Sequence, residues 1–200
     1  ATVEIALLLN NAGGTVQKMA YTVYSTGEVT VKADLQPGEG MGQMLRYGAG
    51  LTLPMDYDQI VWYGNGPQET YQDRKQGASV GVYETTVFDS FYPFVRPQDS
   101  GNHTDVRYFA VESDETGLGL MVVGSDVLEA GALYWNAKEL STTHTDTSKR
   151  HPYQLAKPSH TVLHVDLRSR GLGGNSCGPQ PLEEYLMQGN QPYSYEYTFL

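Results

Sequence analysis

The feature that most constrains this 200-residue chain is an alternation of apolar and polar side chains with a period of two. Thr161, Leu163, Val165 and Leu167 alternate with His164, Asp166 and Arg168, and near the other end Tyr193, Tyr195, Tyr197 and Phe199 alternate with Ser194, Glu196 and Thr198. Successive side chains of an extended chain point to opposite faces, so this pattern gives a strand one oily face and one wet face. Residues 21–35 repeat it around a turn at 25–28 that contains Gly27, with Val29, Val31 and Ala33 set against Thr30, Lys32 and Asp34, which predicts a hairpin. Residues 106–111 and 119–123 predict another antiparallel pair around 112–117, and residues 51–53 form a short run ended by Pro54. Residues 59–63 run apolar into a loop expected at Gly64, Gly66 and Pro67, and residues 132–135 follow a break expected at Gly131. Residues 141–156, with Pro152 inside, read as an irregular connection. No repeat and no linker divides the chain, so the expectation is all-β: one large antiparallel β-sandwich domain over residues 1–200.

Composition narrows the function classes. The 22 Gly, 10 Pro and 15 Tyr suit many tight turns between half-buried aromatic strands. Thirteen Lys and Arg against 23 Asp and Glu leave a net charge of −10, which argues against a nucleic-acid partner, since such binding needs a basic surface. Cys177 is the only cysteine, so an internal disulfide is impossible and a cysteine-based zinc site is not expected. His103, His144, His151, His160 and His164 show no metal-ligand spacing, and no metal or cofactor is expected. No run approaches the about 18 consecutive apolar residues of a spanning helix, so no membrane partner is expected, and the sequence leaves a cytoplasmic or periplasmic location open.

Three stretches concentrate the polar chemistry. The first is Trp62-Tyr63-Gly64-Asn65-Gly66-Pro67-Gln68-Glu69-Thr70-Tyr71-Gln72-Asp73-Arg74, in which Glu69, Asp73 and Arg74 predict an ion-pair and hydrogen-bond cluster that pins a long loop. The second, residues 92–107, carries Arg96, Gln98, Asp99, Asn102, His103, Asp105 and Arg107. These could serve a sugar or a cation, but their spacing lacks the order of a calcium loop, and Asx-rich turns are ordinary sandwich corners. The third, residues 166–179, is the glycine-rich Asp-Leu-Arg-Ser-Arg-Gly-Leu-Gly-Gly-Asn-Ser-Cys-Gly-Pro.

The first stretch resembles the W-x-G-x-G-P-x-E-x-Y-x-D-R signature of the C-terminal, small-chain domain of family 2 β-galactosidases, with Trp62, Gly64, Gly66, Pro67, Glu69, Tyr71, Asp73 and Arg74 at the fixed positions. The second is similar to the family's Y-V-x-P-Q-E-x-G-N-x-x-D-x-R, with Asp99 where the family more often has Glu, and the third to its G-x-G-G loop. The resemblance implies a sandwich shared with galactose mutarotases, and a chain that is the non-catalytic C-terminal part of a longer protein. In that family two catalytic glutamates lie in a separate TIM barrel, an architecture of about 250 residues with alternating strands and helices, so neither is sought among Glu69, Glu112, Glu139 or Glu183. The implied partners are that barrel and a galactoside, within an oligomeric parent. The implied substrate contacts are Asn175, Ser176 and Cys177, with Asn102 and His103; Cys177 stands at or beside the place of the family's sugar-stacking tryptophan, whose stacking a thiol cannot reproduce. Two other classes fit the same residues: a freestanding mutarotase or epimerase, and a carbohydrate-binding module using an exposed row of tyrosines.

Overall fold

The computed structural model describes residues 1–9, 13–140, 151–173 and 179–200. Among the described residues ten strands carry the fold: β1 (Thr2–Leu9), β2 (Thr15–Val23), β3 (Val29–Gln36), β4 (Arg46–Leu53), β5 (Gln59–Gly66), β6 (Ser79–Thr86), β7 (His103–Glu112), β8 (Gly119–Leu133), β9 (Thr161–Ser169) and β10 (Tyr193–Phe199). The short helix α1 (Val87–Ser90) follows β6, capped by the Thr86 hydroxyl, which accepts from the Asp89 amide at 3.0 Å. A second short helix, α2 (Ala137–Leu140), follows β8.

Every strand pair is antiparallel, in the order β1-β2-β3-β10-β8-β7-β5-β6, with β9 joining β8 to β4. The branch point is the 15-residue β8. Its first half pairs with β7 and β10, and from Glu129 to Leu133 it pairs with β9 while still meeting β7 at Ala130. One strand therefore serves both layers, and the sandwich is a single hydrogen-bonded network folded over on itself.

The alternation read from sequence sets the interior. Val31, Ala33 and Leu35 of β3 are buried while Lys32 and Gln36 are exposed, and Leu163 and Val165 of β9 are wholly buried. The β4–β9 layer lies over β3–β10: the Tyr195 hydroxyl donates to the Val165 carbonyl at 3.3 Å, and the Tyr47 ring meets Tyr195 edge-on with centroids 5.4 Å apart.

Two expected breaks are continuous strand. β5 runs through Gly64 to Gly66, paired with β6, and β8 runs through Gly131. Both glycines answer to close packing. A Cβ on Gly66 would stand 2.5 Å from the Tyr83 ring, and one on Gly131 would stand 2.6 Å from the Gly101 carbonyl and 2.6 Å from His164 Nε2. β1 and β6 lie outside the strands expected from the sequence, although Val3, Ile5 and Leu7 alternate with Thr2, Glu4 and Ala6. β1 is an edge strand in which Val3, Ile5, Leu7, Leu8 and Leu9 are all exposed, so its alternation does not mark a face buried within this chain.

Candidate functional site

The three polar stretches, scattered over the sequence, meet on one side of the fold. The first is rooted by Trp62, 1% exposed, whose indole nitrogen donates to the Asn65 carbonyl at 3.0 Å. Its turn closes where the Arg74 amide donates to the Tyr71 carbonyl at 2.8 Å. The Glu69 carboxylate reaches the second stretch, accepting from the Gly101 amide at 2.8 Å and from the Tyr71 hydroxyl at 3.3 Å. Burial, with Glu69 nearby, pushes the Tyr71 hydroxyl pKa well up, so it remains a donor. Thr70 and Asn102 bind each other's backbone: the Thr70 amide donates to the Asn102 carbonyl at 2.7 Å, and Asn102 Nδ2 donates back to the Thr70 carbonyl at 2.8 Å.

Asp73 joins the first stretch to the third. Its carboxylate accepts the amides of Leu172 at 3.0 Å and Gly173 at 2.8 Å. A Cβ on Gly171 would stand 2.8 Å from Asp73 Cγ, so the glycine is what lets the carboxylate come this close. The Gly171 amide is also bound, to the Tyr185 carbonyl at 2.8 Å, and the Arg170 amide to the Leu45 carbonyl at 2.9 Å.

Glu129, 1% exposed on β8, ties all three stretches at once. It accepts from Gln72 Nε2 of the first at 2.6 Å, from Asn102 Nδ2 of the second at 3.2 Å and from the Ser169 hydroxyl of the third. A buried carboxylate is stable only with such donors around it. Beside it, Arg46 at the start of β4 pairs with Asp99 and, at 3.2 Å, with Asp166, which also holds His164 Nδ1 at 2.8 Å. Burial opposes the Arg46 charge, but Asp166 and Asp99 outweigh it and leave the guanidinium pKa raised.

His103, 3% exposed, stacks on Trp62 with ring centroids 3.8 Å apart. Burial pushes its pKa down to about 4, although backbone hydrogen bonds to Asn65 and Gln68 work the other way, so the ring is neutral at pH 7.

A cleft of about 340 Å³ opens over this seam, lined by Leu45, Arg46, Tyr71, Asp99, Ser169 and Leu172 among others. It sits beside residues 171–173, from which the chain continues into 174–178. A larger groove of about 570 Å³, lined by Val16, Lys18, Asp34, Gln36 and Tyr193, belongs to the β2–β3–β10 region and touches none of the three stretches. The smaller cleft is the better candidate because the polar network converges on it. Its chemistry is that of recognition and support: Glu129 and Asp166 each accept from fixed donors, and no group of three or more His, Cys, Asp or Glu disposed to hold a metal is present among the described residues.

The residues singled out from sequence divide as follows. Asn102 is wholly buried and its amide serves Thr70 and Glu129, so it supports the seam from inside. Asn175, Ser176 and Cys177 lie outside the described residues. The ion pair expected among Glu69, Asp73 and Arg74 does not form: both carboxylates take backbone amides, while the Arg74 side chain faces water, which solvates it without the cost of burial. Arg107 donates to the Asp105 carbonyl at 2.6 Å and lies over the Tyr63 ring. Arg96 and Gln98 are exposed, with Gln98 Nε2 donating to the Arg96 carbonyl at 3.3 Å. Sequence reasoning missed Arg46 and Glu129. The signal for Glu129 was there, a charge between Leu128 and Ala130 inside an apolar run.

Comparison with known proteins bears on this arrangement. The family model described as beta galactosidase small chain matches residues 2–199. The β-galactosidase of Priestia megaterium is 30% identical over 197 residues, which cover 98% of this chain and 18% of that protein. That of Halalkalibacterium halodurans is 33% identical over 179 residues, 87% of this chain and 17% of that protein, and the β-galactosidase BgaC of Bifidobacterium adolescentis is 33% identical over 179 residues, 87% and 16%. The chain thus spans less than a fifth of the length of these relatives. Among solved structures, a putative aldose 1-epimerase from Escherichia coli aligns with a TM-score of 0.48 at 8% identity, covering 99% of this chain and 64% of that one. With its family match running from the first strand to the last, the chain belongs to the β-galactosidase small-chain family.

Proposed function

We propose that this chain is the non-catalytic small-chain part of a β-galactosidase. It packs against a catalytic barrel supplied by the rest of a longer protein and holds residues 171–178 at the entry to a site for terminal β-galactosides. The observation that carries this reading is the Asp73 carboxylate, which takes the amides of Leu172 and Gly173 and so fixes the root of the glycine-rich stretch to a turn that is itself braced by Glu129 through Gln72. Such bracing is what a loop needs if it is to meet a ligand in a set geometry. Within that role Asn175 and Ser176 supply polar contacts, Cys177 offers no ring for stacking, and the chain needs no cofactor of its own.

Glycoside hydrolysis needs two carboxyl groups facing a sugar, whereas at this seam Glu129 and Asp166 are buried among their donors and Asp99, in the cleft lining, is paired with Arg46. The test is hydrolysis of a nitrophenyl β-galactoside by three samples: this chain, the remainder of a small-chain-containing β-galactosidase, and the two together. No turnover by this chain and a gain on mixing are expected. Turnover by this chain alone at a rate near that of an intact enzyme would overturn the reading, and so would a remainder that is fully active and unaffected by it.

A further inference from the structure

The sheet formed by β1, β2, β3 and β10 is covered over only part of its width. Direct cross-strand partners share a face, so the register makes its core side run from Val31 and Ala33 of β3, through Tyr21 and Met19 of β2, to Val3 and Ile5 of β1. Along that row burial falls away. Val31 and Ala33 are wholly buried, Tyr21 and Met19 pack partly buried against the core, and Val3, Ile5 and Leu7 are 55%, 42% and 47% exposed. The β4–β9 layer that closes the core over β3–β10 thus leaves the same face open at β1. Val80 and Val82 of β6 are exposed too, but they lie on the opposite face from Trp62 and its partner Tyr83. At β1, by contrast, the side of the sheet that forms the core lacks a cover.

The outer edge of β1 is open in the same way. All eight of its residues pair with β2 without a bulge, and the strand has no proline and, in Glu4, a single charge. Ala1 and Val23 exchange both backbone hydrogen bonds, each 2.7 Å long. The alternation of an antiparallel ladder then turns the N–H and C=O groups of Val3, Ile5 and Leu7 towards β2 and those of Glu4, Ala6 and Leu8 outward. A long, regular, apolar edge of this kind is a template for a further strand.

We infer that β1 is an interior strand of the whole protein: a β-strand from the part outside residues 1–200 pairs along Glu4, Ala6 and Leu8, and an apolar surface of that part covers Val3, Ile5 and Leu7. Such a join rests on the chain being the small-chain part of a longer β-galactosidase, as proposed above, and adds a surface by which the two parts meet. The chain spans less than a fifth of the relatives it matches, so most of their length is available to supply the cover. A second copy of this chain fits less well. Pairing β1 with β1 would fill the edge but set two uncovered faces side by side, and it would bring together two chains that each carry a net charge of −10.

The test is amide hydrogen exchange of this chain, alone and mixed with the remainder of its parent β-galactosidase, with sedimentation reporting whether the two associate. On association the amides of Glu4, Ala6 and Leu8 are expected to exchange at least tenfold more slowly, while those of Ile5 and Leu7, already bonded to β2, change little. Ile5→Lys combined with Leu7→Lys should weaken association at least tenfold, and Val82→Lys on the other edge strand should leave it unchanged. All three side chains are exposed, so the fold survives their replacement, and unchanged exchange at Leu163 and Val165 checks this. Association that leaves Glu4, Ala6 and Leu8 exchanging freely, or that is indifferent to the two lysines, would overturn the inference and leave the proposed role standing. Protection of these three amides in this chain alone, by a second copy or by another segment of its own, would overturn it as well. Absence of any association would instead overturn the proposed role, and the join with it.

Discussion

The interior between β3–β10 and β4–β9 and the seam around Glu129 are both sealed from water, but they are held in opposite ways. In the first, Val31, Ala33, Leu163 and Val165 fill space without any directional demand, with the Tyr195 hydroxyl donating to the Val165 carbonyl across the layers. In the second, Glu129, Asp166, Asn102 and Thr70 are as deeply buried, yet each is placed by named donors and acceptors. Apolar packing tolerates substitutions that keep volume and pattern, whereas a polar network fails when one partner is lost. The interior therefore supplies stability, and the seam supplies position: it fixes residues 171–173 relative to the turn at 69–74.

Trp62 belongs to the same buried core as Val31 and Leu163 and also roots the first polar stretch through Asn65, so its loss should have the largest effect. Trp62→Ala is expected to cost about 3–5 kcal/mol, through the cavity left behind and the loss of the surface on which His103 stacks. Urea denaturation measures this as a lower midpoint. A loss much below this range would mean that the indole is not a shared support.

His103 sharpens the comparison through pH. Its pKa is about 4 in the folded chain against 6.5 for an unperturbed histidine, so between these values the unfolded chain binds the extra proton and folding opposes it. The contribution to stability is fully present above about pH 6.5 and is lost as pH falls towards 4, for a total of about 3 kcal/mol. Denaturation midpoints followed across that window should drop in the native sequence, and the part of the drop due to His103 should vanish in His103→Gln. Identical pH profiles for the two would show that the ring is not held neutral by burial.

The same contrast explains what could be read from the sequence. The hairpin of β2 and β3, the strands β9 and β10 and the pairing of β7 with β8 all follow from period two, because a half-buried strand has to sort its side chains by face. β1 and β6 were not read as strands although Val3, Ile5 and Leu7 of β1 and Val80 and Val82 of β6 recur with period two; these residues are exposed, so the alternation there does not mark a face buried within this chain. Gly131 and Gly64 looked like breaks because glycine usually marks turns, while here close approach of neighbouring chain selects it.

At the candidate site, residue types were legible but partners were not. Asp73 was visible in its motif, and its destination 99 residues onward at Leu172 was not. Arg46 belongs to no motif, and its role arises only when β4 pairs with β9 and brings it to Asp166. The pairing of Arg74 with a neighbouring carboxylate was suggested by proximity in sequence, but the chain places the carboxylates inward and the guanidinium outward.

The central claim is that the turn at 69–74 positions the glycine-rich stretch, and amide hydrogen exchange at Leu172 and Gly173 tests it most directly. Removing the acceptor in Asp73→Ala costs about 1 kcal/mol of local stability, so both amides should exchange about five- to tenfold faster while those of Leu163 and Val165 in β9 keep their protection. Unchanged exchange at Leu172 and Gly173 in that variant would contradict the account.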